Sequence, residues 1–256
     1  MIFHHERRLG RALYHLESLE AEMEAWREED PYRTWSEPDV DRTKKLFWVE
    51  LLTPPPANEL SLIIGDCIHN LRSALDNLIV ELAIARKGGP VSNSIESDSA
   101  FPILLKESPN EFDRMLRGVA PRAKAKIKGL QPYSRWNHAT NDPLWQLNKL
   151  SVQDKHRLPH VTLFGTASIS FWVEGFGADE IEPIFGPIKD RAPIARYPAF
   201  DSTGAEVNVN LMPSFDICFG ERAPKQLRGM PVTHRLSHIH RYITGTVLPP
   251  LRPFLT

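Results

Sequence analysis

Only two of the 256 residues are cysteine, Cys67 and Cys218. Both fall in apolar runs, so two buried thiols are expected rather than a disulfide. No apolar run reaches the ~20 residues that span a bilayer, and no basic-then-apolar leader opens the chain. A cytoplasmic protein with no membrane partner is the simplest expectation. Net charge is also scarce: 31 Lys and Arg stand against 32 Asp and Glu, a formal −1. As a bulk property this argues for neither nucleic acid nor membrane. The common catalytic signatures are missing as well. There is no G-x-S-x-G, no Walker A loop, no G-x-G-x-x-G and no cysteine pair at zinc spacing. No internal repeat appears, and no cofactor is implied.

What is present is an ordinary globular composition, with 41% hydrophobic and 25% charged residues, in a chain long enough to bury a substantial core. The 22 prolines cluster at 54–56, 183–198 and 249–253, where they punctuate connections. Residues 3–29 read as a helix through Leu9, Leu13, Leu16, Leu19 and Met23. Its second half, with Glu17, Glu20, Glu22, Glu24, Glu28, Glu29 and Asp30, reads as a solvated acidic face. Residues 45–52 suit a strand that Pro54–Pro56 ends. A long helix follows over 59–85, with Asn58 as its cap and Gly88-Gly89 closing it. Residues 88–100 read as an exposed loop.

Ser108, Pro109 and Glu111 form a helix start that ends near Gly118, and Pro121 opens another that ends at Gly129. Asp142-Pro143 starts the helix PLWQLNKLSVQ. From residue 160 to 220 short alternating runs (HVTLFG, SISFWVEGF, EVNVNLM, SFDICFG) predict a small antiparallel sheet. Helical spacing resumes over 231–248. The expectation is a single α+β domain over 1–256: a helical core from about 1–158, a strand-rich part at 160–220, and a closing helix packed back on the core.

Four clusters could carry chemistry. The first is the polar face of helix 59–85, which holds Asp66, His69, Asn70, Ser73, Asp76 and Asn77, with Arg72 near its boundary. Asp, Asn and Ser are poor formers of solvated helix, so their concentration on one face breaks a local rule. It reads either as a buried polar network or as a ligand site. A metal version would use Asp66, His69 and Asp76, with His156 from a second element. The second cluster is Asp154-Lys155-His156-Arg157 behind a core helix. There it reads as a basic helix end or as a phosphate- or carboxylate-binding group with His156 as acid or base. The third is the basic run Arg114, Arg117, Arg122, Lys124, Lys126 and Lys128, scattered around its helix axes and read as solvated surface. The fourth is Arg235 to His240. His234, His238 and Arg241 share a face there, but no Glu follows the first His as in a zincin, so ordinary surface or core histidines are expected.

The strings GDCIHNLRSALDNLIVEL, FPI, GLQPY and LNKLSVQDKHR, in this order over about 60–158, resemble a family of uncharacterised bacterial proteins. That family has a G-D-x-x-H-N-L-R-S-A-L-D-H helix and a D-K-H-R tetrad. The resemblance implies no particular activity. The R-S-A-L-D-H element also resembles the Arg-x4–6-His signature of HEPN-type ribonucleases, helical dimers that cut RNA without metal. Here the Arg is Arg72 and the His position is Asn77, which cannot act as acid or base. Arg235 to His240 meets the same spacing.

Three readings follow. The favoured one is a non-catalytic binding module with a polar pocket between helix 59–85 and the 154–157 tetrad. It would take RNA or a small anionic ligand through Asn70, Ser73, Asn77, Asp154, Lys155 and Arg157. The second is a HEPN-like ribonuclease in which Arg72 and Lys155 hold phosphate, His69 or His156 moves protons and Asp76 orients a histidine. The third is metal-dependent hydrolysis on Asp66, His69, Asp76 and His156. A homodimer through an exposed apolar patch on the first or last helix stays open.

Overall fold

The computed structural model describes residues 3–135, 139–154, 161–165, 170–172, 180–184, 186–188, 190–212 and 215–255. In chain order its main elements are α1 (His4–Glu28), β1 (Tyr32–Pro38), β2 (Lys44–Leu51), α2 (Ala57–Lys87), α3 (Asn93–Asp98), α4 (Pro109–Met115), α5 (Pro121–Gly129), α6 (Pro132–Arg135) and α7 (Pro143–Asp154). The strands β3 (Val161–Gly165), β4 (Ser170–Trp172), β5 (Glu182–Pro183), β6 (Gly186–Pro187), β7 (Arg191–Pro198), β8 (Asn210–Met212) and β9 (Phe215–Phe219) follow. Helix α8 (Val232–Tyr242), a π-turn over Ile243–Val247 and a 3-10 turn at Arg252–Phe254 close the chain. This is an α+β fold. No helix among the described residues is long and apolar enough to cross a membrane.

Helix α2 is the spine. Leu60, Ile64, Ile68, Leu71, Leu75, Leu78, Ile79 and Leu82 are all fully buried, the broad stripe that 3–4 residue spacing dictates. It starts at Ala57, behind Pro56 rather than Asn58, and stops at Gly88, whose φ of 75° puts it in the left-handed conformation that suits glycine. Helix α1 packs along α2, α7 lies against α2, and α8 touches α1, α2 and α7.

The α1–α2 contact is antiparallel. Near one end the Cys67 thiol donates to the Ala12 carbonyl. Near the other, Glu81 of α2 caps the start of α1. Its Oε1 accepts from the backbone N–H of His4 at 2.6 Å and of His5 at 3.3 Å, and its Oε2 hydrogen-bonds the His5 Nδ1. The first N–H groups of a helix have no partner within it, and here a carboxylate on the neighbouring helix supplies one. The two side chains are 2% and 10% exposed.

Four strands form one antiparallel sheet in the order β1-β2-β7-β5, and β6-β3-β9 and β4-β8 form two smaller groups. The sheet therefore begins at residue 32, inside the part of the chain expected to be helical. Strand β1 is polar apart from Tyr32 and Trp35, and its pairing with β2 along the whole length makes it a strand. Strand β7 runs through a proline-rich stretch that composition assigns to connections. The register slips between Phe47 and Trp48, opposite Pro193, and such an irregularity is where a sheet admits proline. On the outer face Trp35 stacks on Trp48 at 6.1 Å and 10°, with the Arg191 guanidinium 5.2 Å over Trp48. Residues 93–98, expected as loop, form the short exposed α3.

The cross-helix cap should matter to stability. Glu81→Ala is expected to cost about 2–3 kcal/mol, because it leaves backbone donors and a buried imidazole without their acceptor. Denaturant unfolding of the variant against wild type checks this.

Candidate functional site

The polar face of α2 divides into two parts. Its inner part, Arg72 and Asp76, lies one turn apart and forms a bidentate pair at 3.2 and 2.8 Å. The pair grips an extended segment that belongs to no sheet. Asp76 Oδ1 accepts from the Phe101 N–H at 2.9 Å, and Arg72 Nη2 donates to the Phe101 carbonyl at 2.9 Å.

Gln131, fully buried, grips the same segment from the other side. Its Nε2 donates to the Pro102 carbonyl at 2.9 Å and its Oε1 accepts from the Leu104 N–H at 3.1 Å. Phe101 and Ile103 are core residues. A chain buried outside regular structure must find partners for its amide groups, and these three side chains provide them. The strings R-S-A-L-D, F-P-I and G-L-Q-P-Y, separate in sequence, thus meet at one place. Gly118, with φ of 87°, turns the chain after α4 close against α2, where a side chain's Cβ would lie only 3.2 Å from the Ala83 Cβ.

The outer part of the face is different. Asp66 and His69 are exposed, and Ser73 Oγ lies 3.4 Å from His69 Nε2. Asn70 is buried; it donates to the Asp66 carbonyl at 2.8 Å and accepts from Arg8 at 3.2 Å. Asn77 is half-buried with no side-chain hydrogen bond among the described residues. On the neighbouring α1 sits His15, whose pKa burial pushes down; Asp66 opposes that shift and Arg11 adds to it.

Lys155, His156 and Arg157 lie outside the described residues, and of Asp154 only the backbone, ending α7, is described. A juxtaposition of the two expected clusters therefore lies outside the described residues too. Among the described residues no three or more His, Cys, Asp or Glu side chains gather as a metal site. Both cysteines are free and buried, and burial raises each thiol to about 12. They are not nucleophiles. The basic run on α4 and α5 is partly matched by acids: Lys124 pairs with Asp113 at 2.9 Å and Lys128 with Glu107 at 2.5 Å.

The fourth cluster has no such match. On α8, Arg235 Nη1 lies 3.4 Å from His238 Nδ1. Arginine can only donate, so a hydrogen bond here takes the His238 tautomer whose Nδ1 is unprotonated. That agrees with its lowered pKa, which burial causes first, with Arg235, Arg241 and His234 adding repulsion. The Nε of Arg235 is buried and has no acceptor among the described residues, and burial lowers the guanidinium's pKa. Arg235 makes no ion pair among the described residues. His240, ~140° round the helix from Arg235, hydrogen-bonds the Leu9 backbone and is lowered chiefly by burial. Arg235 and His240 thus do not converge, although their spacing fits Arg-x4-His.

The sequence holds a signal for this site. No Asp or Glu follows Glu221, while six Lys or Arg and three His do. The one-sidedness of residues 222–256 is hidden in a net charge of −1.

Comparison with known proteins gives no family model, no curated relative and no solved structure that matches the chain.

The clamp on Phe101 has a measurable signature. Arg72→Ala and Asp76→Ala are each expected to lose about 1.5–3 kcal/mol of stability. The double variant should lose less than the sum by about 1 kcal/mol, since both remove one network. Urea unfolding of the three variants checks this.

Proposed function

We propose that this chain is a non-catalytic binding module for a phosphate-bearing ligand, held by Arg235 and His238 on α8. One observation carries the reading: a partly buried guanidinium whose Nε–H has no acceptor among the described residues and whose side-chain contact there is His238. Taking an arginine out of water without a counter-charge is unfavourable. A buried donor left unmatched by the protein calls for an acceptor from elsewhere. The fork of a guanidinium suits the oxygens of phosphate, which it can bind through two hydrogen bonds. His234 and Arg241 flank the pair on the same helix and add positive potential. The Arg-x4–6-His resemblance supplies no second reading: Arg72 also has a buried donor, Nη1, without a partner among the described residues, but its charge is matched by Asp76.

The non-catalytic class rests on the same contrast. Arg72 and Asp76 bond to each other and to the Phe101 backbone, and among the described residues the exposed His69 has Ser73 beside it. The locus therefore moves from the α2 face to α8. The ligand class stays as expected from the sequence: RNA or a small anion, which share phosphate chemistry.

The pH dependence has a definite sign. In the free protein the folded pKa of His238 lies below the ordinary 6.5. The unfolded chain then binds more protons in that window, so stability falls as pH drops below about 6.5. An anion beside His238 favours the imidazolium, so anion affinity should rise as pH falls from 8 to 6. Sulfate is the clean probe, because it stays a dianion across this range.

Sulfate and inorganic phosphate should stabilise wild type more than Arg235→Met, by up to about 2.7 kcal/mol at a hundredfold excess over Kd, read as a larger rise in melting temperature. The difference should be larger at pH 6 than at pH 8. A single-stranded RNA oligonucleotide provides the second arm. Arg235-dependent binding that weakens steeply with salt would point to RNA, whereas binding of the free anions alone would point to a small ligand. Equal response of wild type and Arg235→Met to all three would remove the proposal.

A further inference from the structure

The outer face of the main sheet carries two tryptophans that the core does not use. Along β2, Lys45, Phe47 and Val49 are buried. Side chains alternate along a strand, so Trp48 and Glu50 point away from the core. The register sets Trp35 and Arg33 of β1 opposite Trp48 and Glu50, and Pro193 and Arg191 of β7 on their other side. Two rows thus cross this face, Arg33–Glu50–Arg191 and Trp35–Trp48–Pro193. Among the described residues neither indole belongs to the core or to the side chains packed on it.

The rows are braced. Trp48 has Trp35 stacked on it from β1 and the Arg191 guanidinium over it from β7. Its own buried Nε–H has no acceptor among the described residues, so stacking rather than hydrogen bonding fixes its place. Strand β1 ends the sheet, and Trp35 therefore stands at the rim, half-buried, where Trp48 is its one ring contact among the described residues. An open cavity of about 310 Å³ adjoins it, lined by Arg33, Thr34, Trp35, Glu50 and Arg191. Arg33 pairs with Glu50, whereas Arg191 makes no ion pair among the described residues. The cavity thus holds two guanidinium groups and one carboxylate, a surplus positive charge beside an indole.

We infer that this cavity binds a nucleotide unit, with its base stacked on Trp35 and its phosphate held by Arg191. Each part of the cavity restricts the ligand. Stacking on an indole needs a flat ring. An aliphatic ligand would leave Arg191 without an acceptor, and a bare anion would gain nothing from Trp35 while meeting the Glu50 carboxylate. A ring that carries an anion uses both. Trp35 and Arg191 stand two strands apart, about 10 Å at ordinary strand spacing, so the anion has to be set off from the ring, as a sugar sets phosphate off from its base. The fork of a guanidinium suits phosphate oxygens. A free nucleotide and a nucleotide within a single strand offer the same groups. The inference rests on the sheet alone and is independent of the anion site on α8.

Isothermal titration calorimetry of the full chain with adenosine monophosphate, adenosine and a short single-stranded oligoadenylate tests it. Trp35→Leu should weaken adenosine monophosphate and adenosine alike, by about 5- to 150-fold, the loss of one base–aromatic stack. Trp35→Phe keeps a ring and should retain most of the affinity, which separates stacking from misfolding. Arg191→Met should bring adenosine monophosphate down towards the affinity of adenosine and leave adenosine itself unchanged. Trp35-dependent binding of the mononucleotide marks a free nucleotide as the ligand; Trp35-dependent binding of the oligonucleotide alone marks a strand. Trp35→Leu that binds all three as wild type does, or a wild type that binds none, overturns the inference. So does binding that Arg235→Met abolishes and Trp35→Leu does not, which would leave the α8 site standing and this one empty of function.

Discussion

The segment Phe101–Leu104 is the constraint around which the helical part is arranged. It is buried and extended, and it belongs to no sheet, so its amide groups cannot be satisfied by a neighbouring strand. Asp76 and Arg72 on α2 and Gln131 after α5 satisfy them instead. With those bonds in place Phe101 and Ile103 can enter the core, and the α4–α5 region is tied to the long helix. Arg86 adds a further tie by donating to the Val119 carbonyl at 2.9 Å. Without the three side chains, the same burial would strand several backbone groups away from water.

This accounts for the unusual polar face of α2. A helix surrounded by other elements has to hold more than apolar partners. Asp76, Arg72 and Asn70 bond to segments that pass over it, and Glu81 bonds to the start of α1. Short polar side chains are poor formers of solvated helix, but they suit these tasks. Their reach is small, their geometry is definite, and burial makes each bond harder to replace by water.

Charge is handled unevenly over the surface. On α5 and along the main sheet, cations stand beside acids: Lys124 with Asp113, Arg33 with Glu50, Lys44 with Glu182, Arg196 with Asp39. On α8, among the described residues, they do not. A local imbalance in a chain of almost zero net charge cannot come from composition; it reflects placement. On α8 the cations are left where an incoming anion would be felt most.

Much of the helical architecture was determined by local sequence. The apolar stripe of α2, the stop at Gly88 and the start of α7 at Pro143 follow from periodicity and from backbone preferences of single residues, which act over one or two turns. The sequence also determined that Arg72 and Asp76 could pair, since residues four apart share a helix face. Tertiary structure alone decided what that pair holds, because Phe101 is 25 residues beyond Asp76 and no periodicity links them. It decided the strand character of β1, a polar segment that extends only because β2 lies beside it, and of β7, whose prolines look like loop until a bulge accommodates Pro193. It also decided the standing of Arg235. A charge list shows that no acid follows Glu221, but whether an arginine has a counter-charge depends on every element that folds back toward it. Local chemistry sets the elements; long-range packing decides which of their polar groups remain unmatched.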